Sequence, residues 1–297
     1  VYGARGANGV VLITTKKGAK DKVSVSYDFQ YGISNPWRKR EVLNATEYGV
    51  MINEGRINAG LAPMYADPYA FGEGTDWQNE VFNRNAPTQS HQLSISGSSR
   101  KNQYYVSASW YSQDGIVGGN YDRSNYNRFT ARVNDKYSLF DATEERSWLN
   151  RMAINLNVSY SYTDIKGIDP NNTYGSTLGS AVTLSPILGV YVDPDSEQAV
   201  IDKYSVNENA GKEENPYDKP YNLLRGDNGR LFTVPGSDYN EMFNPVAELT
   251  MDGQYNRYDR IVGGADVEFQ IYDGLTFKSS VGVDLGFRDI GAWTPNY

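Results

Sequence analysis

Apolar and polar residues alternate with a period of two along several stretches of this chain. In Met152–Asp164 the even positions carry Met152, Ile154, Leu156, Val158, Tyr160 and Tyr162, and the odd positions carry Ala153, Asn155, Asn157, Ser159, Ser161 and Thr163. Successive side chains of an extended strand point to opposite faces, so this segment predicts a strand with one apolar face and one small, polar face. Leu275–Arg288 repeats the pattern, setting Leu275, Phe277, Val281, Val283, Leu285 and Phe287 against Thr276, Lys278, Ser280, Asp284 and Arg288. In Val23–Tyr31 the apolar set is Val23, Val25, Tyr27, Phe29 and Tyr31. Weaker alternation at His91–Ser98, Tyr104–Ser112, Tyr126–Asn134 and Ile261–Tyr272 brings the prediction to seven strands.

Several of these segments exceed the usual soluble strand of about five or six residues and reach the ~9–11 that a tilted transmembrane strand needs. A two-sheet sandwich also alternates, so alternation alone leaves both architectures open. The connections favour a barrel. Only Ser98–Asn102 separates strands two and three, and only Tyr272-Asp273-Gly274 separates six and seven, where Asp-Gly is a tight-turn signal. Long excursions, about 32–89 and 165–258, follow strands one and five. In an up-and-down meander the long excursions fall at one rim and the tight turns at the other, which is the layout of outer-membrane barrels. Asp135–Arg151 falls on the short-turn side and is only moderately long. Within the first excursion, Ala45–Asn58 predicts a helix, with Tyr48, Met51 and Ile52 at helical spacing and Asn44 or Thr46 as its cap.

Composition narrows the function classes. The 297 residues hold 28 Lys and Arg against 36 Asp and Glu, a formal charge of -8, which argues against a nucleic-acid partner. Cysteine is absent, excluding disulfides, thiolate metal sites and cysteine nucleophiles. No run approaches the ~20 apolar residues of a membrane-spanning helix, whereas barrel strands hide their apolarity at every second position. The 24 Tyr, 10 Phe and 5 Trp suit membrane interfaces, sugar-binding surfaces and sheet faces alike.

The N-terminal run Val1-Tyr2-Gly3-Ala4-Arg5-Gly6-Ala7-Asn8-Gly9-Val10-Val11-Leu12-Ile13-Thr14-Thr15-Lys16-Lys17-Gly18 is the most specific segment. Its glycines let backbone turn tightly or lie against a wall, Val10–Ile13 suits a strand buried on both faces, and Arg5 and Asn8 are placed to hydrogen-bond across such a contact. A phosphate-binding loop is excluded, because no Gly-Lys-Ser/Thr is present and a strand follows where a helix is required. The run resembles the end of the plug domain in TonB-dependent outer-membrane transporters of the SusC/RagA group. Val42-Leu43-Asn44-Ala45-Thr46-Glu47-Tyr48 is similar to the group's first outer-loop helix, and Asn244-Pro245-Val246-Ala247-Glu248-Leu249 to the approach to a later strand.

The resemblance implies an all-β partial transmembrane antiparallel barrel: residues 1–20 end the plug, and 21–297 supply about seven strands of a barrel of about 22. Gly3, Arg5, Gly6, Asn8 and Gly9 then form the plug–barrel motif. The implied role is TonB-dependent import of oligosaccharides or peptides across a Bacteroidota outer membrane, with a SusD-like surface lipoprotein, the TonB complex and outer-membrane lipid as partners. No catalysis, metal or cofactor is expected, and the chain reads as a fragment of a longer transporter. The alternative is a soluble secreted β-sandwich or adhesin-like glycan-binding module, in which Ile154, Leu156, Val158, Phe277, Val281, Val283 and Leu285 pack against a second sheet rather than facing lipid.

The remaining candidates are weaker. His91, the sole histidine, lies on a strand face with Leu93 and Ile95 and reads as a structural side chain; a barrel hydrolase would have to be built on it. Asp193, Asp195, Glu197 and Asp202, with Glu208, Glu213 and Glu214, are hard-cation ligands in type and leave calcium in an acidic outer loop open, but their spacing matches no EF-hand and a solvated loop is the simpler reading. Tyr65, Tyr69 and Trp77 in the first excursion and Tyr191 in the second are candidates for stacking on ligand or contacting a lid protein; the competing role is to pack the loops together.

Overall fold

The computed structural model describes residues 22–140, 148–168, 176–205, 223–236, 239, 242–251 and 254–292. Seven strands form one antiparallel sheet in sequence order: β1 (Ser24–Ser34), β2 (Ala86–Ser98), β3 (Asn102–Asp114), β4 (Asn125–Phe140), β5 (Arg151–Lys166), β6 (Gln254–Tyr272) and β7 (Leu275–Ala292). β1 and β7 are its two edges, so the sheet is an open arc of the predicted barrel. All seven predicted strands are present. Most run past their predicted ends, and β6 starts at Gln254 rather than Ile261. Its added stretch, Gln254–Arg260, pairs with the far ends of β5 and β7. One face carries Tyr255, Arg257 and Asp259 and the other Gln254, Asn256, Tyr258 and Arg260, so no apolar alternation marks it.

Register joins the alternating positions into continuous faces. One row runs Phe29, His91, Trp110, Phe129, Tyr162, Asp259 and Phe287 across all seven strands. A second row, Phe140, Met152, Phe269 and Phe277, crosses the same face nearer the short turns. Between them stand residues such as Val106, Val133, Val158, Val281 and Val283. The seven residues that distinguish the two architectures are 37–64% exposed, and no second sheet covers them among the described residues. That overturns the β-sandwich alternative.

One rim carries the connections 35–85, 115–124 and 167–253, and the other carries 99–101, 141–150 and the two-residue turn Asp273-Gly274. Gly274 has φ +84, the left-handed conformation that a tight hairpin turn requires and glycine supplies without strain. The long connections hold five short helices: α1 (Ala45–Asn58), α2 (Trp77–Val81), α3 (Thr177–Thr183), α4 (Glu197–Tyr204) and α5 (Pro245–Thr250). α1 has the predicted bounds. Asn44 caps it by accepting from Glu47 N at 2.8 Å while Glu47 Oε2 accepts from Asn44 N at 3.0 Å, a reciprocal capping box.

Candidate functional site

The buried apolar core lies in the long connections rather than in the sheet. Trp77 and Val81 of α2 meet Ala181 and Leu184 of the α3 region, Phe232, and Val246 and Leu249 of α5. Two chain segments more than 100 residues apart are thereby fused. Trp77 Nε1 donates to the Ser185 carbonyl at 3.0 Å, and Thr75 N donates to the Pro186 carbonyl at 2.8 Å. Gly74, at φ +70, sits so close that a β-carbon there would fall on the Pro186 carbonyl and on Ala45 Cβ. The 115–124 connection joins the cluster through Gly118 N to the Val81 carbonyl at 3.0 Å and the Tyr121 hydroxyl to the Glu80 carbonyl at 3.2 Å. Burial raises the Tyr121 pKa above its ordinary value, with the charges of Glu80 and Tyr191 adding to the rise. The three connections form one cap over a single rim.

α5 follows from its sequence. Asn244 accepts from Val246 N and Ala247 N at 3.1 and 3.2 Å, and Pro245 occupies the first turn, where a missing N–H costs nothing. The approach to β6 is thus a helix that locks the cap to the sheet. Asn244 as cap with Pro245 at the first helical position and Glu248 in the first turn is a helix-start signal visible in the sequence.

The four aromatic candidates lie in different settings. Trp77 is 3% exposed and fills the core that joins the loops. Tyr191 stacks on Phe232 at 4.9 Å and 24°, with the Arg230 guanidinium 5.0 Å from its ring centroid. Tyr65 packs edge-on against Phe71 at 5.1 Å; burial raises its pKa, and the neighbouring Tyr48 adds to the rise. Tyr69 is 75% exposed and projects from the cap. Gly3, Arg5, Gly6, Asn8 and Gly9 lie outside the described residues, as do Glu208, Glu213 and Glu214.

The other acidic residues have local duties. Asp193 Oδ1 accepts from Asp195 N at 3.0 Å, Glu197 pairs with Arg225 at 2.6 Å, and Asp202 accepts from Gln198 Nε2 at 2.8 Å. Among the described residues no three His, Asp or Glu side chains converge on a common point. His91 Nδ1 lies 2.7 Å from the Tyr27 hydroxyl, with its ring 4.8 Å from Phe29 and 5.5 Å from Trp110. It belongs to the aromatic row, and among the described residues neither a serine nor a carboxylate bonds to it.

The polar face of the sheet is the one opposite the exposed apolar positions. A cavity of about 280 Å³ opens on it near the short-turn rim, lined by Asn134, Lys136, Asn155, Asn157, Asp266 and Lys278. Arg260 grips Asp284 with two bonds of 2.9 and 2.6 Å, and Lys278 pairs with Asp266 at 3.2 Å.

No protein-family model matches the chain. In sequence it is 28% identical over 292 residues to the TonB-dependent receptor SusC of Bacteroides thetaiotaomicron, covering 95% of this chain and 25% of that protein. It is 29% identical over 301 residues to TonB-dependent receptor P3 of Formosa agariphila, covering 99% and 24%. The fold matches the RagAB peptide importer in its closed-closed state with TM-score 0.61 at 20% identity, over 98% of this chain and 31% of that one. Over nearly its whole length the sequence is similar to SusC and other TonB-dependent receptors. The SusC/RagA-like chain spans about a quarter of the length of the curated relatives it matches. Its seven strands take the place of a stretch of such a barrel, with the wall left open at β1 and β7.

Proposed function

We propose that this chain forms part of the wall and outer cap of an outer-membrane importer that draws oligosaccharides or peptides inward under the pull of TonB. The observation that carries the reading is the exposed apolar band between two aromatic rows. On β5 the rows are ten residues apart, at Tyr162 and Met152. That is about 33 Å along an extended strand and, at a tilt of about 40°, about 25 Å in height, the thickness of the apolar belt of outer-membrane barrels. Hydrocarbon is the solvent that such a band suits. Water suits the opposite face, where Ser, Thr, Asn and paired charges line the concave side.

In this reading residues 1–20 end the plug, with Gly3, Arg5, Gly6, Asn8 and Gly9 where plug meets barrel, and the remainder is barrel. The fused cap stands on the cell-surface rim. Tyr69 offers an exposed ring for a ligand or a SusD-like lipoprotein lid, while Trp77 and Tyr191 hold the cap together. The work is binding, gating and passage, with no covalent step.

The test uses the full-length receptor in its native membrane. TonB-dependent uptake of an oligosaccharide or peptide, lost when the receptor is deleted and restored by complementation, is the expected result. Normal uptake in the deletion strain across a panel of both cargo classes, together with recovery of the receptor in the soluble fraction, contradicts the proposal.

A further inference from the structure

Resting on the importer reading, we infer that the lumenal face of β4 is a cationic track that selects acidic oligosaccharides. Arg128, Arg132 and Lys136 occupy every second inward position of β4, four residues apart. At about 3.3 Å per residue the steps are about 13 Å, and the file is about 26 Å long, close to the height of the apolar band behind it.

None of the three makes an ion pair among the described residues. The inward positions of β2, β3, β4 and β5 hold no carboxylate at all. In a chain of net charge -8 this strip is not an average of the composition. The contrast with β6 and β7 is sharp, for there Arg260 is neutralised by Asp284 and Lys278 by Asp266. Those two carboxylates, Glu268 of β6 and Asp28 of β1 are the nearest inward-facing candidates to neutralise the β4 file. Asp266 and Glu268 lie two strands from β4 and share the short-turn cavity with Lys136, and Asp284 and Asp28 lie three strands away, about 10 and 14 Å at the usual strand spacing. Steps of 13 Å are comparable to the screening length of about 8–10 Å in physiological salt, and a concave low-dielectric wall concentrates the field further. The result is a positive strip that is strongest at Arg128 and Arg132 and weakened at Lys136, where Asp266 and Glu268 line the same cavity.

The chain's own leading segment is not the occupant, since Arg5, Lys16, Lys17, Lys20 and Lys22 outnumber Asp21 there. The side chains between the cations favour a sugar over a peptide. Ser107, Ser109, Thr130, Ser159, Ser161 and Asn157 flank the file and match hydroxyl groups. At its outer end Arg128 lies 6.0 Å from the ring centroids of both Tyr111 and Tyr126, a stacking platform beside a fixed cation. A carboxylate or sulfate on a sugar ring meets both requirements.

The experiment measures binding by the full-length receptor with its lid. The probes are uronate-bearing and sulfated oligosaccharides, their methyl-esterified or desulfated counterparts, and hexaglutamate. At least one acidic oligosaccharide should bind at least tenfold more tightly than its neutral counterpart, and more weakly as salt rises. The double variant R128Q/R132Q should lose at least tenfold for that ligand, R128K/R132K should recover most of it, and heat-modifiable migration should report an intact barrel in both. Equal binding of the neutral counterparts, undiminished affinity in R128Q/R132Q, preference for hexaglutamate, or no acidic sugar bound overturns the inference. TonB-dependent uptake of the acidic ligand at an unchanged rate in R128Q/R132Q removes the charge selectivity and leaves the importer; absence of TonB-dependent uptake of every cargo in the wild type removes the importer itself.

Discussion

Replacing Trp77 by Ala should open the cap while leaving the sheet intact. The indole is 3% exposed, sits among Val81, Ala181, Leu184 and Leu249, and donates to the Ser185 carbonyl at 3.0 Å. Truncating a buried Trp to Ala costs about 3–5 kcal/mol, and the loss of the hydrogen bond, about 1 kcal/mol on its own, is part of that total. Since about 1.4 kcal/mol is a factor of ten, the opening equilibrium of the cap should shift by about 10²–10³. Hydrogen exchange on the full-length receptor in detergent is the assay. Amides of 176–190 and 74–82 should lose two to three orders of magnitude of protection, whereas β3, β4 and β5 keep theirs, because their ladder bonds do not depend on the cap. Trp77→Phe, which retains most of the buried ring, should lose far less. Unchanged protection in Trp77→Ala, or equal loss in the cap and the strands, refutes the idea that this side chain joins two loops into one unit.

Three further outcomes follow from the same packing. Asn44→Ala removes half of the capping box at α1 and should destabilise that helix by about 1 kcal/mol, read as faster exchange confined to its first turn. For Tyr121, a folded-state pKa above the ordinary value means that the opened cap binds fewer protons than the closed one as pH climbs past about 10. Cap stability should therefore be fully present below pH 10 and fall above it, and Tyr121→Phe should weaken that dependence, the remainder belonging to Tyr65 and Tyr239, in a pH series of exchange rates. Val158→Arg, at mid-height on the apolar face, should cost about 2–4 kcal/mol in folding into lipid vesicles, while Ser159→Arg next to it should cost little.

The sheet was legible in the sequence because one physical rule governs it: each strand separates two solvents, so alternation survives in every member, and Asp273-Gly274 marks a turn that needs positive φ. Legibility stops where the rule stops. Gln254–Arg260 carries polar residues on both faces, and its backbone is ordered by partners on β5 and β7 that no local pattern announces. α1 could be read to the residue because its cap is local. α2 and α3 are five and seven residues long, too short to show a period, and exist because Trp77 and Ala181 share a core assembled from distant segments. The same distance hid the role of Trp77: an aromatic in a polar, glycine-rich loop looks like a ligand platform until its partner at Ser185 is known. The β4 cations were visible as residues, but their isolation from carboxylates is a property of register across four strands.

The most direct test starts from the absence of cysteine in these 297 residues, with any cysteine elsewhere in the full-length receptor replaced by serine so that every introduced thiol is unique. Single Cys substitutions at each position from Ala153 to Ser161 in the full-length receptor, spin-labelled and reconstituted, can be probed with oxygen and with a water-soluble nickel chelate. Collisions with oxygen should peak at 154, 156, 158 and 160 and those with the chelate at 155, 157, 159 and 161. Accessibility without that two-residue period, or with the apolar positions shielded from both reagents, contradicts a barrel wall between lipid and water.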